Sequence, residues 1–337
     1  MGTTVAIAGA SGYAGGEILR LLAGHPEFEV IAATAHGNVG EPVIALHPHL
    51  PTYAGMHFVE NSAEVLAEAD LVFLALPHGT SAAVAAQLPP SVKIVDLGAD
   101  FRLLDSAAYE RYYATAHTGT WTYGLPELPG QRAKIAESDR VANTGCYAVA
   151  TILALAPLIA AGLAEPEDVV VVAASGTSGA GRAAKPHLLG SEVMGDVSPY
   201  KVGAHQHVSE ILQASGAKTL SMTPLLVPMP RGILSTVTAR PTRSVDIETV
   251  RDVLLAAYRD EAFVHVLDEG RQPHTAATFG SNSVHLQGTV DVSSGRIIVT
   301  SAIDNIGKGA AGQAVQNANI MLGIEEHMGL SVNGIAP

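Results

Sequence analysis

The sequence predicts a two-domain α/β protein, a doubly wound parallel-sheet domain followed by a mixed α+β domain. Three observations carry that reading. The first hundred residues alternate short apolar, β-branched runs with helical patterns, as a parallel sheet covered by helices requires. Two of the runs, residues 70–76 (DLVFLAL) and 92–97 (VKIVDL), are almost continuously apolar, which suits strands buried on both faces. After about residue 145 the texture changes to one long apolar segment and then a series of strand-like runs.

Taken in order, residues 3–8 read as the first strand and lead through a glycine-rich turn into a helical pattern at 17–23. Residues 28–33 form a second strand, and Asn61 with Glu64 has the spacing of a capping box before a short helix. The apolar stretch 148–164 falls just short of a membrane span and contains Pro157 and Gly162, so it is expected to be a buried helix. The run 168–174 (DVVVVAA) is a strand, and segments 219–226, 233–240, 283–292 and 296–303 share its composition. A last helix is expected at about 309–322, able to pack on either domain.

Composition narrows the function. Hydrophobic residues make up 47% of the 337, enough for sizeable cores. The net charge of −13 argues against a nucleic-acid partner. A single cysteine excludes an internal disulfide or a multi-cysteine zinc site and fits a reducing compartment. The opening MGTTVAIAGASG has no basic segment before its apolar run, so a cytoplasmic protein without a membrane anchor is expected.

Four motifs carry chemistry. Residues Gly9 to Gly15 (GASGYAG) stand between the first strand and the first helix, where glycines permit a tight turn and bring main-chain N–H groups to a pyrophosphate. This predicts a Rossmann-type dinucleotide site. The second strand runs into Ala33-Thr34-Ala35-His36 with no acid for the ribose hydroxyls, which tilts the cofactor towards NADP. Next, Asn143-Thr144-Gly145-Cys146-Tyr147 directly precedes the long apolar helix. A thiol at a helix N-terminus is biased towards thiolate, yet a buried structural cysteine is an equal reading from spacing alone.

The third motif, residues 175–182 (SGTSGAGR), is a second small-residue loop suited to close approach of a ligand. The fourth is Gly203-Ala204-His205-Gln206-His207. Two histidines at i, i+2 share a face if the segment is a strand, but no carboxylate or cysteine accompanies them. One histidine serving a cysteine as acid/base is more economical than a metal, and none is expected. His47 and His49, in HPHL, belong to a loop whose role is open.

Together the segments GASGYAGGEILRLL, HPHL, LALPHGTSA, VDLGADFRL, YGLPEL, NTGCY, SGTSGAGR, SPYKVGAHQHVSEI, VPMPRGILSTV and DNIGKGAAGQAVQNANIM closely resemble the N-acetyl-gamma-glutamyl-phosphate reductase family of arginine biosynthesis, over nearly the whole chain. The resemblance implies that Cys146 is the nucleophile and His205 the acid/base. It implies cofactor contacts at Gly9, Ser11, Gly12, Tyr13 and Gly15, with Ser178, Gly179 and Asn305 nearer the nicotinamide of NADP. The family is similar to aspartate-semialdehyde dehydrogenase, whose phosphate-binding segment matches VDLGADFR and makes Arg102 the candidate phosphate ligand. Lys201 and Arg231 are substrate-binding candidates, each open between that role and a structural ion.

The implied reaction is attack of the thiolate on an acyl phosphate, loss of phosphate to give a thioester, and hydride transfer to give a semialdehyde. The implied architecture is a cofactor domain at 1–145, a catalytic and oligomerisation domain at 146–308, and a terminal helix at about 309–337 returning to the first. A homodimer or homotetramer acting on a small molecule is expected. The same chemistry on an aminoadipyl-phosphate analogue of lysine biosynthesis is the alternative. From another class, a dinucleotide-binding regulator would need Cys146 unreactive. The chain departs from the family pattern in Thr144, often Pro, and in Ala148-Val149.

Overall fold

The computed structural model describes residues 2–336, which divide into two compact units. One comprises residues 2–144 and 310–330, the other residues 145–309 and 331–336.

The first unit is built on β1 (Thr3–Ala8), β2 (Phe28–Ala35), β3 (Val59–Glu60), β4 (Leu71–Leu74), β5 (Lys93–Asp96), β6 (Thr122–Gly124) and β7 (Arg140–Asn143). They form a seven-stranded sheet in the order β3-β2-β1-β4-β5-β7-β6. Every neighbouring pair is parallel. Alternation of side chains puts Val5, Ile7, Leu71 and Phe73 in one core and Ala6, Ala8, Val72 and Leu74 in the other. Both faces are therefore covered, and the near-continuous apolar runs have their physical reason. Helix α1 (Tyr13–Leu22) starts a turn earlier than the pattern suggested, because the small residues of its first turn carry no apolar periodicity. The expected cap at Asn61 is displaced by one residue. Ser62 caps the short helix Ala63–Leu66 through its side chain, and Asn61 Oδ1 instead accepts the Thr34 hydroxyl at 2.9 Å.

Strand order reverses on either side of β1, with β2 and β4 as its neighbours, so the turn leaving β1 lies at a topological switch point. The terminal helix, Gly312–Met321, packs Ala314, Val315 and Ala318 into the core that holds Ile18 and Leu19.

The second unit opens with α2 (Cys146–Ala160), whose apolar residues leave no polar stripe and which is buried over most of its length. Its strands are β8 (Val169–Ser175), β9 (Ser198–Pro199), β10 (Leu220–Leu226), β11 (Ile233–Ala239), β12 (Val264–Val266), β13 (Val284–Val290) and β14 (Ile297–Ile303). The sheet runs β12-β13-β14-β11-β8-β10-β9 and is mixed: β8 is parallel to β10 and antiparallel to β11. In central β8 alternate residues separate the two faces. Val169, Val171 and Ala173 are buried, while Val170 and Val172 stay 36% and 41% exposed. A single π turn, Gly307–Ala311, follows β14. Among the described residues no helix is long and apolar enough to cross a membrane.

Candidate active site

Cys146 is the first residue of α2 and half-buried. The first-turn amides of a fifteen-residue helix converge there, the positive end of its dipole. Two glycines set the approach. A Cβ on Gly145 would lie 2.6 Å from His207 Nε2 and 2.8 Å from Glu210 Oε1. A Cβ on Gly309, in the π turn, would lie 2.8 Å from that of Cys146. The Gly145 amide donates to Glu210 Oε2 at 3.0 Å, and Glu210 is fully buried. The main chain entering the cysteine is thus clamped by a carboxylate that no motif reasoning had singled out. Its only advance signal was an acidic residue inside the apolar pattern of VSEIL.

His205 is 3% exposed. Its ring lies edge-on to Tyr147, centroids 5.1 Å apart, and to His207 at 4.8 Å. Nδ1 accepts the His207 amide at 3.2 Å, which assigns the proton of the neutral ring to Nε2. Burial, reinforced by the charge of Lys201, pulls its pKa down to about 4. The ring is therefore neutral at pH 7 and competent to take a proton. The Tyr147 and Tyr200 hydroxyls meet at 2.7 Å. Burial raises both phenols, Tyr200 to about 12, so they remain protonated donors. The strand premise for the two histidines does not hold: His205 lies in the turn before α3 (His207–Ser215), and His207 opens that helix.

Lys201 is exposed, has a left-handed φ of 44°, and donates from Nζ to Gln206 Oε1 at 2.8 Å. Arg231 has a different situation. Its side chain is 17% exposed and holds the buried Asp304 through two contacts, Nε to Oδ1 at 3.0 Å and Nη2 to Oδ2 at 2.8 Å. Its guanidinium is thus engaged by a buried carboxylate. Asn305 is likewise committed, accepting from the Gly232 amide at 2.7 Å and donating to Ser178 Oγ at 3.0 Å. It ties the glycine-rich loop containing Ser178 and Gly179 to the Arg231–Gly232 turn.

In the first unit, the turn from Gly9 to Gly15 is drawn tight by its glycines. Gly9 has a φ of 81°, and a Cβ there would lie 2.4 Å from the Ala75 carbonyl oxygen. A Cβ on Gly15 would lie 2.4 Å from the Gly9 oxygen. Only glycine builds this cradle. Gly12 caps α1 without a side chain, Tyr13 opens the helix, and the Ser11 amide meets no protein acceptor among the described residues. Arg102 is held by the protein. It is 3% exposed, with Nε on the Asn143 carbonyl and Nη2 on the Leu97 carbonyl, both at 2.7 Å. It braces the end of β7. Gln313, not singled out from sequence, is fully buried, and neither polar atom of its side-chain amide has a hydrogen-bond partner among the described residues.

Family models match both units: residues 4–138 match the semialdehyde dehydrogenase NAD binding domain, and residues 146–305 match the semialdehyde dehydrogenase dimerisation domain. An N-acetyl-gamma-glutamyl-phosphate reductase of Salinispora tropica is 66% identical over 337 residues, covering 100% of both chains. The chain belongs to the N-acetyl-gamma-glutamyl-phosphate reductase family. Other reductases of that name, from Acidothermus cellulolyticus and Streptomyces coelicolor, are 59% and 56% identical over the full length of both chains. Among solved structures, aspartate semialdehyde dehydrogenase with NADP from Candida albicans superposes with a TM-score of 0.72 at 17% identity, covering 96% of this chain and 99% of that one. The Vibrio cholerae aspartate semialdehyde dehydrogenase II gives 0.68 at 18%, covering 96% and 99%. These likenesses show the semialdehyde dehydrogenase fold. As a reductase of this family, the chain carries its nicotinamide-cofactor domain in the first unit and its only thiol at the head of the second.

Proposed function

We infer that the chain reduces N-acetyl-L-glutamyl 5-phosphate to N-acetyl-L-glutamate 5-semialdehyde, with release of phosphate, in arginine biosynthesis. The observation that carries the reading is the thiol of Cys146 at the N-terminus of a buried helix, in a chain aligned end to end with reductases of that name.

The thiolate of Cys146 attacks the γ-carbonyl carbon of the acyl phosphate. First-turn amides of α2 donate to the oxyanion, a contribution of roughly 3 kcal/mol per donor in other enzymes. The carbon–oxygen bond to phosphate breaks, inorganic phosphate departs, and a thioester remains on Cys146. A reduced nicotinamide, when bound, supplies the hydride that this thioester accepts. The resulting alkoxide collapses to the aldehyde and returns the Cys146 thiolate. His205, neutral at pH 7, takes the thiol proton on releasing the His207 amide and lends it to the alkoxide.

Gly9, Ser11, Gly12, Tyr13 and Gly15 would hold the pyrophosphate, and the free amide of buried Gln313 suits a carboxamide. With no carboxylate closing β2, NADP is the preferred cofactor. Lys201, an exposed cation whose field reaches His205, is the candidate ligand for an anionic group of the substrate. Ser178 and Gly179, in the loop tied down by Asn305, are candidate contacts of the nicotinamide. The protein works in the cytoplasm as a homo-oligomer assembled through the second unit.

The test follows NADP reduction in the phosphorolytic direction. N-acetylglutamate semialdehyde should be oxidised only when phosphate is present, and faster than its one-carbon-longer homologue. Cys146→Ser should keep NADPH binding and lose turnover by at least a thousandfold. Undiminished turnover in that variant would remove the nucleophile assignment.

A further inference from the structure

His47 belongs to HPHL, a motif with no place in the chemistry above. It is 1% exposed, and its Nε2 lies 2.9 Å from the Ala10 carbonyl oxygen. A carbonyl only accepts, so the ring donates from Nε2. The ring also fills the space behind the first turn of α1: a Cβ on Gly16 would lie 2.2 Å from its Cε1. His47 is itself held by its amide on Val43 O at 2.9 Å and by edge contacts with Phe58 and His49.

We propose that His47 is the positioning residue of the glycine-rich turn, orienting the Ala10–Ser11 peptide for the cofactor pyrophosphate. The physical reason is the planarity of the peptide bond. In a trans peptide the carbonyl oxygen of one residue and the N–H of the next point in opposite directions. Drawing the Ala10 oxygen onto the buried His47 ring therefore turns the Ser11 N–H the other way. That amide meets no protein acceptor among the described residues, while the Ala10 amide is anchored to Thr34 O at 2.8 Å. Both ends of Ala10 are thus fixed by the protein, and the donor after it is kept for a ligand. A turn prepared in this way spends no binding energy on ordering itself.

The inference rests on the pyrophosphate reading of this turn, and the experiment separates the two. NADPH binding to the full chain is measured by fluorescence titration for His47→Gln, His47→Met and Gly12→Asp. Gln and Met have similar length, but only Gln keeps an N–H donor. His47→Met should weaken NADPH binding about tenfold, with kcat at saturating cofactor within twofold of the parent, and His47→Gln should recover most of the loss. Equal binding by the Gln and Met variants overturns the positioning role, as does a loss confined to kcat. Gly12→Asp adds a good N-cap to α1 and a negative charge beside the pyrophosphate, so it should bind NADPH at least tenfold more weakly. If it binds normally, the pyrophosphate reading fails and the inference with it. If it binds weakly while His47→Met binds normally, only the role of His47 is lost. The parent chain gives an independent check: NADPH should slow hydrogen exchange of the Ser11 amide, and an unchanged rate sinks the proposal whether or not a variant folds.

Discussion

The Gly145 amide donates to a carboxylate oxygen of Glu210 at 3.0 Å, joining the residue before the thiol to the buried face of α3. A glycine is needed there because the His207 ring and the Glu210 carboxylate occupy the place of its Cβ. Thr144, where the family often has proline, precedes a peptide held from outside by this bond.

Glu210→Ala should therefore affect catalysis more than binding. The Gly145 N–H would lose its partner in a buried setting, costing about 1–3 kcal/mol of stability. With the entry to α2 loosened, kcat should fall by roughly ten- to a hundredfold while the KM for cofactor holds. Glu210→Gln retains an acceptor oxygen and should recover much of kcat. Steady-state kinetics beside urea unfolding would distinguish this from a general loss of folded protein, which lowers active enzyme without a rescue by Gln.

His205 should leave a signature in the pH dependence of stability. Its folded pKa of about 4 lies below the ordinary 6.5, because burial opposes the imidazolium. The unfolded chain thus binds the extra proton first. The contribution is fully present above pH 6.5 and is lost as pH falls through about 4. The shift is on the order of 3 kcal/mol at its full extent. His205→Asn does not titrate, so its urea stability should drop between pH 7 and pH 4.5 by about 2–3 kcal/mol less than the parent's. Removing the Lys201 charge with Lys201→Gln should raise the folded pKa towards 6.5 and so make the acid-induced loss smaller than the parent's. Parallel curves for parent and His205→Asn would contradict the depressed pKa.

The homo-oligomer proposed above should assemble through the open face of the second sheet. Val170 and Val172 project from a central strand and are more than a third exposed, an unusual setting for β-branched apolar residues inside a sheet. Val172→Asp should shift the chain towards monomer in sedimentation velocity, with little change in NADPH affinity, since the cofactor turn is in the other unit. An unchanged sedimentation coefficient would place the interface elsewhere.

Much of the fold was legible in the sequence because its signals are local. The parallel sheet was visible in apolar runs such as 70–76, since burial on both faces removes alternation. The long helix after Cys146 was visible in its length and lack of charge. Boundaries were read less well: α1 began early and the cap moved from Asn61 to Ser62, because small residues and adjacent polar residues give no periodic signal.

For the site, the sequence by itself determined which atoms are available: one thiol, a glycine turn after the first strand, and a histidine pair near a scarce lysine. Tertiary structure decided what those atoms are free to do. It engaged Arg102 with main-chain carbonyls, Arg231 with Asp304, and Asn305 with Ser178 and Gly232, all polar residues that motif reading had offered to ligands. It also brought Glu210 to Gly145 and His47 to Ala10 across 65 and 37 residues. The reason is that most buried polar groups take a protein partner, and that partner is chosen by what the folded chain places within about three ångströms, not by spacing along it.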